Sequence, residues 1–316
     1  MIVRQTDTEY NSGRGGDWIS PSDIKGLRTP KDFVTNRLKP WVQKDYFDIG
    51  TAFHSAMLEP EKFDKGVIHF PDKDFPTQTR IKDGSIGIGG KGNKAVWEAF
   101  KALPENKDKI VLSEAYWNMV SSMMKSARDH KGFNRMMQLD KGWVETSFYC
   151  RYIWNKAGQL EKVEPAGKDD KRTSPLEMLV RTKADFVHKE RAYAMDVKTA
   201  IDVSPTGFAK AVANLEYDIQ ATMVLDLVTA NAGEPYETFI VLAVEKAEPY
   251  YAVMYDVFYE DLLSTKSIYL RRLNELRKSM NDNIFQGFEM YADNEFGLLS
   301  LKLPAWYKNQ QINSKF

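Results

Sequence analysis

The sequence predicts an α/β fold, a β-sheet domain flanked by helices with a helical N-terminal region, and three observations predict it. From residue 142 onward the period changes to that of strands: "WVETSFYCRYIW" alternates bulky and polar residues, and "VRTKADFVH", "AYAMDVKTA" and "TFIVLAVE" follow. Between the last two runs, "SPTGFAKAVANLEYDIQATMVLDLVTA" keeps helical spacing. Upstream, the apolar residues recur every three or four positions. Strand, strand, strand, helix, strand, with helices before and after, is the order of an α/β domain.

The elements follow in order. "WISPSDIKGL" reads as a helix start, with Ser20 as N-cap, Pro21 at the first helical position and Asp23 at the third. "DIGTAFHSAMLEP" is a short helix stopped by Pro60. Residues 71–94 are rich in Gly, Pro, Lys and Asp and read as a loop. Helical spacing returns over 95–138, where the aromatic and Met stripe of "AYWNMVSSMM" reads as a helix core. A last helix is expected over 260–281, followed by an irregular tail. The expected division is a helical part over 1–141, a core over 142–260 and a C-terminal helix and tail over 261–316, all in one compact domain.

Composition narrows the function. Lys+Arg and Asp+Glu are both 44, so net charge pulls the chain toward neither nucleic acid nor membrane. A nucleic-acid site on it must be a local patch or channel. The single cysteine, Cys150, excludes a disulfide framework, a cysteine-based zinc site and a four-cysteine cluster. The first ten residues lack the apolar segment of a signal peptide, and "FIVLAV" at 239–244 is too short to span a bilayer. A soluble, cytoplasmic setting is expected.

The chemistry starts from Asp196 in "AMDVKTA". Asp is depleted from strands, and a buried charge is costly unless something compensates it. The polar "KERA" at 189–192 separates two strand-like runs, so a hairpin is expected that pairs 188 with 193 and 187 with 194. The same register sets Asp185 across from Asp196, at a Cβ separation of about 4.5–5.5 Å where like charges repel. Such a pair can share a proton or share a hard cation, and magnesium suits one or two Asp plus a substrate phosphate. Lys198, two residues past Asp196, points to the same face. Alone, D-x-K is also an ordinary Asp–Lys pair on a solvated strand face.

Two further groups join them. On the following helix, with a core stripe of Phe208, Val212, Leu215, Ile219 and Met223, Tyr217 and Gln220 stand three apart on a neighbouring face. They are either a polar flank or hydrogen-bonding groups for a phosphate or a metal-bound water. His54, among Phe53, Met57 and Leu58, is either a core histidine or a third metal ligand. His69, His130 and His188 read as surface residues.

The order His54, Asp185, Asp196-x-Lys198, Tyr217-x-x-Gln220 resembles the RecB-like branch of the PD-(D/E)XK nuclease superfamily. The text "GTAFHSAMLEPEKF", "MDVKTAIDVSPTGFAKAVANLEYDIQATMVLD" and "WISPSDIKGLRTPKDF" is similar to the RecE (exonuclease VIII) type of phage and prophage exonucleases, over most of residues 18–260. The resemblance implies a PD-(D/E)XK core with a five-stranded mixed sheet. It also implies a Mg²⁺- or Mn²⁺-dependent 5′→3′ exonuclease that leaves 3′ single-stranded tails on linear double-stranded DNA. A single-strand annealing partner of the RecT type and a homo-oligomeric ring go with it. Carried over by position, His54, Asp185 and Asp196 are the expected metal ligands, with the Val197 carbonyl as a further one. Lys198 is the expected catalytic lysine, and Gln220, Tyr217 and Glu145 order the substrate or the site. Ala184 stands where the motif usually has Pro. The cysteines of the iron–sulfur nucleases and all helicase motifs are missing, which excludes those branches.

"GSIGIGGKGN" at 84–93 fails as a phosphate loop, because Ser85 replaces the first Gly and Gly92 follows Lys91. Arg80, Lys82, Lys91 and Lys94 in that region are candidate phosphate contacts. Two other readings stay open on the same fold: an endonuclease, and a catalytically silent DNA-binding scaffold.

Overall fold

The computed structural model describes residues 1–12, 16–39, 45–70 and 91–305. Of the loop expected over 71–94, residues 71–90, with Arg80 and Lys82, lie outside these residues, and 91–94 belong to a helix instead. The N-terminal part runs β1 (Ile2–Arg4), α1 (Asp7–Ser12), β2 (Trp18–Ile19), α2 (Pro21–Ile24), α3 (Pro30–Leu38), α4 (Asp45–Leu58), α5 (Pro60–Gly66) and β3 (Val67–His69). It continues with α6 (Lys91–Lys101), β4 (Ile110–Leu112), α7 (Glu114–Asp129) and α8 (Lys131–Met136). The core follows as β5 (Gly142–Trp154), β6 (Leu160–Pro165), β7 (Glu177–His188), β8 (Tyr193–Ala200), α9 (Pro205–Leu215), α10 (Tyr217–Ala232), β9 (Thr238–Glu245), β10 (Ala252–Val257) and α11 (Tyr259–Asp282).

The α/β architecture is as expected, but the sheet is larger than five strands. Eight strands join in the order β1-β5-β7-β8-β9-β10, with β2 beside β7 and β6 beside β5. The sheet is mixed: β5–β7 and β7–β8 are antiparallel, while β8–β9 and β2–β7 are parallel. A separate parallel pair, β3 with β4, adds strands to the N-terminal region read from sequence as helices and a loop. β1, β2, β3 and β4 are two or three residues long, too short for alternation to register, while β6 and β10, of six residues each, are further strands beyond the sequence reading.

Two helical layers cover the sheet. β9 shows why both faces need covering. Phe239, Val241 and Ala243 pack with the helices α10 and α11 on one side. Ile240, Leu242 and Val244 pack with α4 and α7 on the other. A strand buried on both faces reads as a continuous apolar run, which is what "TFIVLAVE" is.

Several local details depart from the sequence reading. The run read as one helix through Phe208 and Met223 is two. Glu216 takes a left-handed conformation (φ 49°) that ends α9 and starts α10, and it leaves Leu215 53% exposed instead of in the core stripe. Pro60 does not merely stop α4; it opens α5. The start at Ser20 holds, with a reciprocal capping box to Asp23. His69 is exposed and lies on Trp117, and His130 caps α8, accepting from the Phe133 N–H. His188 is not a surface residue: it is fully buried, and its Nδ1 accepts the Glu190 and Arg191 N–H groups that the hairpin turn leaves unpaired.

Candidate active site

The site forms where the sheet divides. β7 and β8 pair at 188/193, 187/194 and 186/195, the register expected for the "KERA" hairpin, and then part. Asp185 and Asp196 stand at the parting and do not form a ladder pair. Instead the Asp185 Oδ2 accepts the Val197 N–H at 2.8 Å, so a side chain takes over a bond the ladder gives up. β8 meanwhile stays fully paired to β9, which fixes Asp196 and Lys198 on the central sheet.

His54 comes from the α4 layer. Ile49, Ala52, Phe53, Ala56 and Met57 bury one face of α4, and this holds the neighbouring imidazole at the parting of the strands. Its Nε2 lies 2.8 Å from Asp185 Oδ2, and its Nδ1 lies 3.3 Å from Glu145 Oε1. Glu145 reaches this position through an unusual backbone. It sits in β5 with φ 47°, a conformation that costs a non-glycine residue about 1–2 kcal/mol. Thr146 braces the kink by donating to the Val144 carbonyl. The second Glu145 oxygen pairs with Lys183 Nζ at 2.5 Å.

Asp196, from the other half of the parting, has different partners. Its Oδ2 pairs with Lys198 Nζ at 2.5 Å, and its Oδ1 accepts from Gln220 Nε2 at 3.0 Å. Gln220 and Tyr217 come from the first turns of α10, in the opposite helical layer. The Lys198 ammonium lies 5.2 Å from the centre of the Tyr217 ring. Lys25, just past α2, lies 5.3 Å from the same ring and donates to Gln220 Oε1 at 3.2 Å.

Burial and charge work against each other here. Burial lowers the His54 pKa, but Asp185 and Glu145 overcome it and hold the imidazole protonated up to about 9. Burial raises Asp185, yet His54 and Lys198 bring it down to about 2. Glu145 and Asp196 are both pushed above the usual carboxylate range, first by burial and then, among other carboxylates, by Asp185. Lys198 stays firmly protonated, since Asp196 and Asp185 outweigh its desolvation.

His54, Glu145 and Asp185 each offer a ligand atom, and the three atoms lie within 4.8 Å of one another. Imidazole nitrogen plus carboxylate oxygens is a donor set for a divalent cation of magnesium or manganese type. Among the described residues, the buried Glu145 Oε1 accepts no hydrogen bond and faces only the His54 imidazole, which fits a carboxylate oxygen able to coordinate a cation. Among the described residues Glu145 stands with His54 and Asp185, while Asp196, expected from sequence as a ligand, is engaged by Lys198 and Gln220. Val197 lines the same cleft and reaches the trio through its N–H. Lys183 and Lys25 were not anticipated. Lys183 carries the one available signal, its position two residues before Asp185 on one strand.

His54, Glu145, Val197 and Tyr217 line a cleft of about 800 Å³, with Lys62, Lys210 and Lys246 on its walls beside Lys198, and Glu59 and Asp202 among them. A cavity of about 890 Å³ beyond Glu59 and Lys62 is slightly larger but holds none of the trio. No helix among the described residues is long and apolar enough to cross a membrane.

Residues 171–284 match the family described as "PDDEXK-like domain of unknown function (DUF3799)". Among solved structures, the chain is similar to a protein of Eubacterium rectale described as a putative exonuclease. The identity is 14%, 98% of each chain is covered, and the TM-score is 0.53. A phage related exonuclease from Haemophilus somnus is matched at 9% identity and a TM-score of 0.28, over 61% of this chain and 84% of that one. The latter overlap is too loose to bear on the fold. No curated protein matches the sequence. Residues 171–284 thus match a PDDEXK-like family model, and the chain as a whole shares its fold with the Eubacterium rectale protein.

Proposed function

We propose that the chain is a metal-dependent deoxyribonuclease, a 5′→3′ exonuclease that degrades linear double-stranded DNA and leaves 3′ single-stranded tails. One observation carries the reading: a His–Glu–Asp cluster and an Asp–Lys pair meet where β7 and β8 part in the sheet. His54, Glu145 and Asp185 would hold Mg²⁺ or Mn²⁺, with Asp196 and the Val197 carbonyl beside them. When bound, the metal supplies Lewis acidity and neutralises charge on the scissile phosphate.

The chain's own groups do the rest. Lys198 is a fixed positive charge that stabilises negative charge building on the phosphoryl oxygens. Asp196 holds the Lys198 ammonium, and Tyr217 supports it from below. Gln220 holds the other oxygen of Asp196. Lys62, Lys210 and Lys246 on the cleft walls would contact the phosphate backbone. A cytoplasmic setting, a ring-shaped homo-oligomer and a single-strand annealing partner of the RecT type belong to this proposal.

The test uses purified protein with Mg²⁺ on end-labelled linear and covalently closed circular duplexes. Loss of the linear duplex alone, beginning at 5′ ends, is expected. Cutting of the closed circle would establish an endonuclease, and no cutting with any divalent cation would leave only the scaffold.

A further inference from the structure

We propose that Lys25 is a positioning residue of this site: it orients the Gln220 amide so that its NH2 group can only face Asp196. The inference rests on the nuclease reading in one respect, that Asp196 takes part in the reaction.

An ammonium group donates and never accepts, while a side-chain amide has one end of each kind. Lys25 Nζ lies 3.2 Å from Gln220 Oε1, and Gln220 Nε2 lies 3.0 Å from Asp196 Oδ1. Turning the amide over would set NH2 against ammonium and carbonyl against carboxylate, two repulsive contacts in place of two hydrogen bonds. Asp196 Oδ2 is already engaged by Lys198. With Gln220 locked, both oxygens of Asp196 have assigned donors, and its carboxylate plane is set.

The backbone around Lys25 is built to hold it there. Lys25 precedes Gly26, whose φ of 68° only glycine adopts freely. The Gly26 N–H donates to Glu216 Oε2 at 2.6 Å. Arg272 of α11 grips both oxygens of Glu216, at 2.7 and 2.8 Å, and also donates to the Ile24 carbonyl at 3.2 Å. Glu216 is the left-handed residue that separates α9 from α10, immediately before Tyr217. One carboxylate therefore ties the turn carrying Lys25 to the helix start carrying Tyr217 and Gln220. The position is not a comfortable one for a cation. Burial, then repulsion by Lys198, bring the Lys25 pKa down to about 8. A lysine kept at that cost beside a second lysine has a local task, and the amide contact is the task the geometry shows.

Two measurements on the full chain test this. The first follows the side-chain NH2 resonances of Gln220, identified by their loss in Gln220→Leu. A hydrogen-bonded, well-separated proton pair is expected in the wild type and in Lys25→Arg, and its collapse toward free-amide positions in Lys25→Met. An unchanged pair in Lys25→Met overturns the proposal, whether or not the chain cuts DNA. The second follows cleavage of linear duplex DNA. Lys25→Met is expected to lower kcat by about ten-fold or more at unchanged KM, as loss of a group that orients a site residue does. Lys25→Arg is expected to restore most of that loss, and Lys25→Met to add nothing further in a Gln220→Leu background. A rise in KM at unchanged kcat, or fully additive losses, overturns the proposal. If the wild type cuts nothing, the nuclease reading fails, and the amide measurement still decides the role of Lys25.

Discussion

Replacing Lys198 by methionine is expected to slow cleavage of duplex DNA by about 10²–10³-fold, the usual cost of removing one group that stabilises transition-state charge. Methionine keeps much of the length and volume of the side chain and deletes only the ammonium. The position is demanding: Lys198 is pinned by Asp196 at 2.5 Å, lies over Tyr217, and is kept protonated by Asp196 and Asp185. A lysine with so firm a proton acts as a fixed charge, not as a proton donor that titrates near neutrality. The pH profile of cleavage should therefore show no limb belonging to Lys198. Single-turnover rates against DNA affinity separate the two possible losses. The account predicts a loss in rate with affinity nearly unchanged. A methionine variant that cleaves at the wild-type rate would remove Lys198 from the mechanism.

The second large effect is on stability, in protein free of divalent cations. The His54 imidazole is held protonated up to about 9 by Asp185 and Glu145, against an ordinary value near 6.5. A proton bound more tightly in the folded state stabilises the fold fully below pH 6.5. That stabilisation is lost as the pH rises through about 9. Asp185, brought down to about 2, works in the opposite sense. Its contribution is present above the ordinary 3.8 and is lost as the pH falls through about 2. Urea midpoints of the metal-free wild type should therefore fall between pH 6.5 and 9, and those of His54→Gln should fall much less. Equal slopes for the two proteins would mean that His54 is not held by the carboxylates.

The strands and the hairpin register were legible because alternation and a four-residue polar break are local signals. The pairing of His188 with Tyr193 follows from them directly. Asp185, Asp196 and Lys198 were legible for the same reason, as charges intruding on apolar runs. Glu145 was visible only as a glutamate in a strand. Its place beside His54 depends on a left-handed backbone at that residue, and nothing in "WVETSF" announces such a turn. The break at Glu216 was hidden because apolar spacing runs on through it, and a distant arginine, Arg272, helps to hold it. Lys25 and Lys183 acquire meaning only through partners 195 and 38 positions away, at Gln220 and Glu145. The burial of His188 follows from two turn N–H groups that need an acceptor, a requirement that burial propensity does not express.

The central claim is that His54, Glu145 and Asp185 are a divalent-cation site serving the cleavage of DNA. Calorimetric titration of Mn²⁺ into the metal-free chain and into Asp185→Ala tests it most directly. The account predicts saturable binding by the wild type, with proton release at pH 7 because His54 must lose its proton to become a ligand. A folded state that binds metal at 100 times the Kd gains about 2.7 kcal/mol, so the melting temperature should rise with it. Asp185→Ala should show neither the heat nor the rise. No binding by the wild type, or equal binding by Asp185→Ala, would contradict the account.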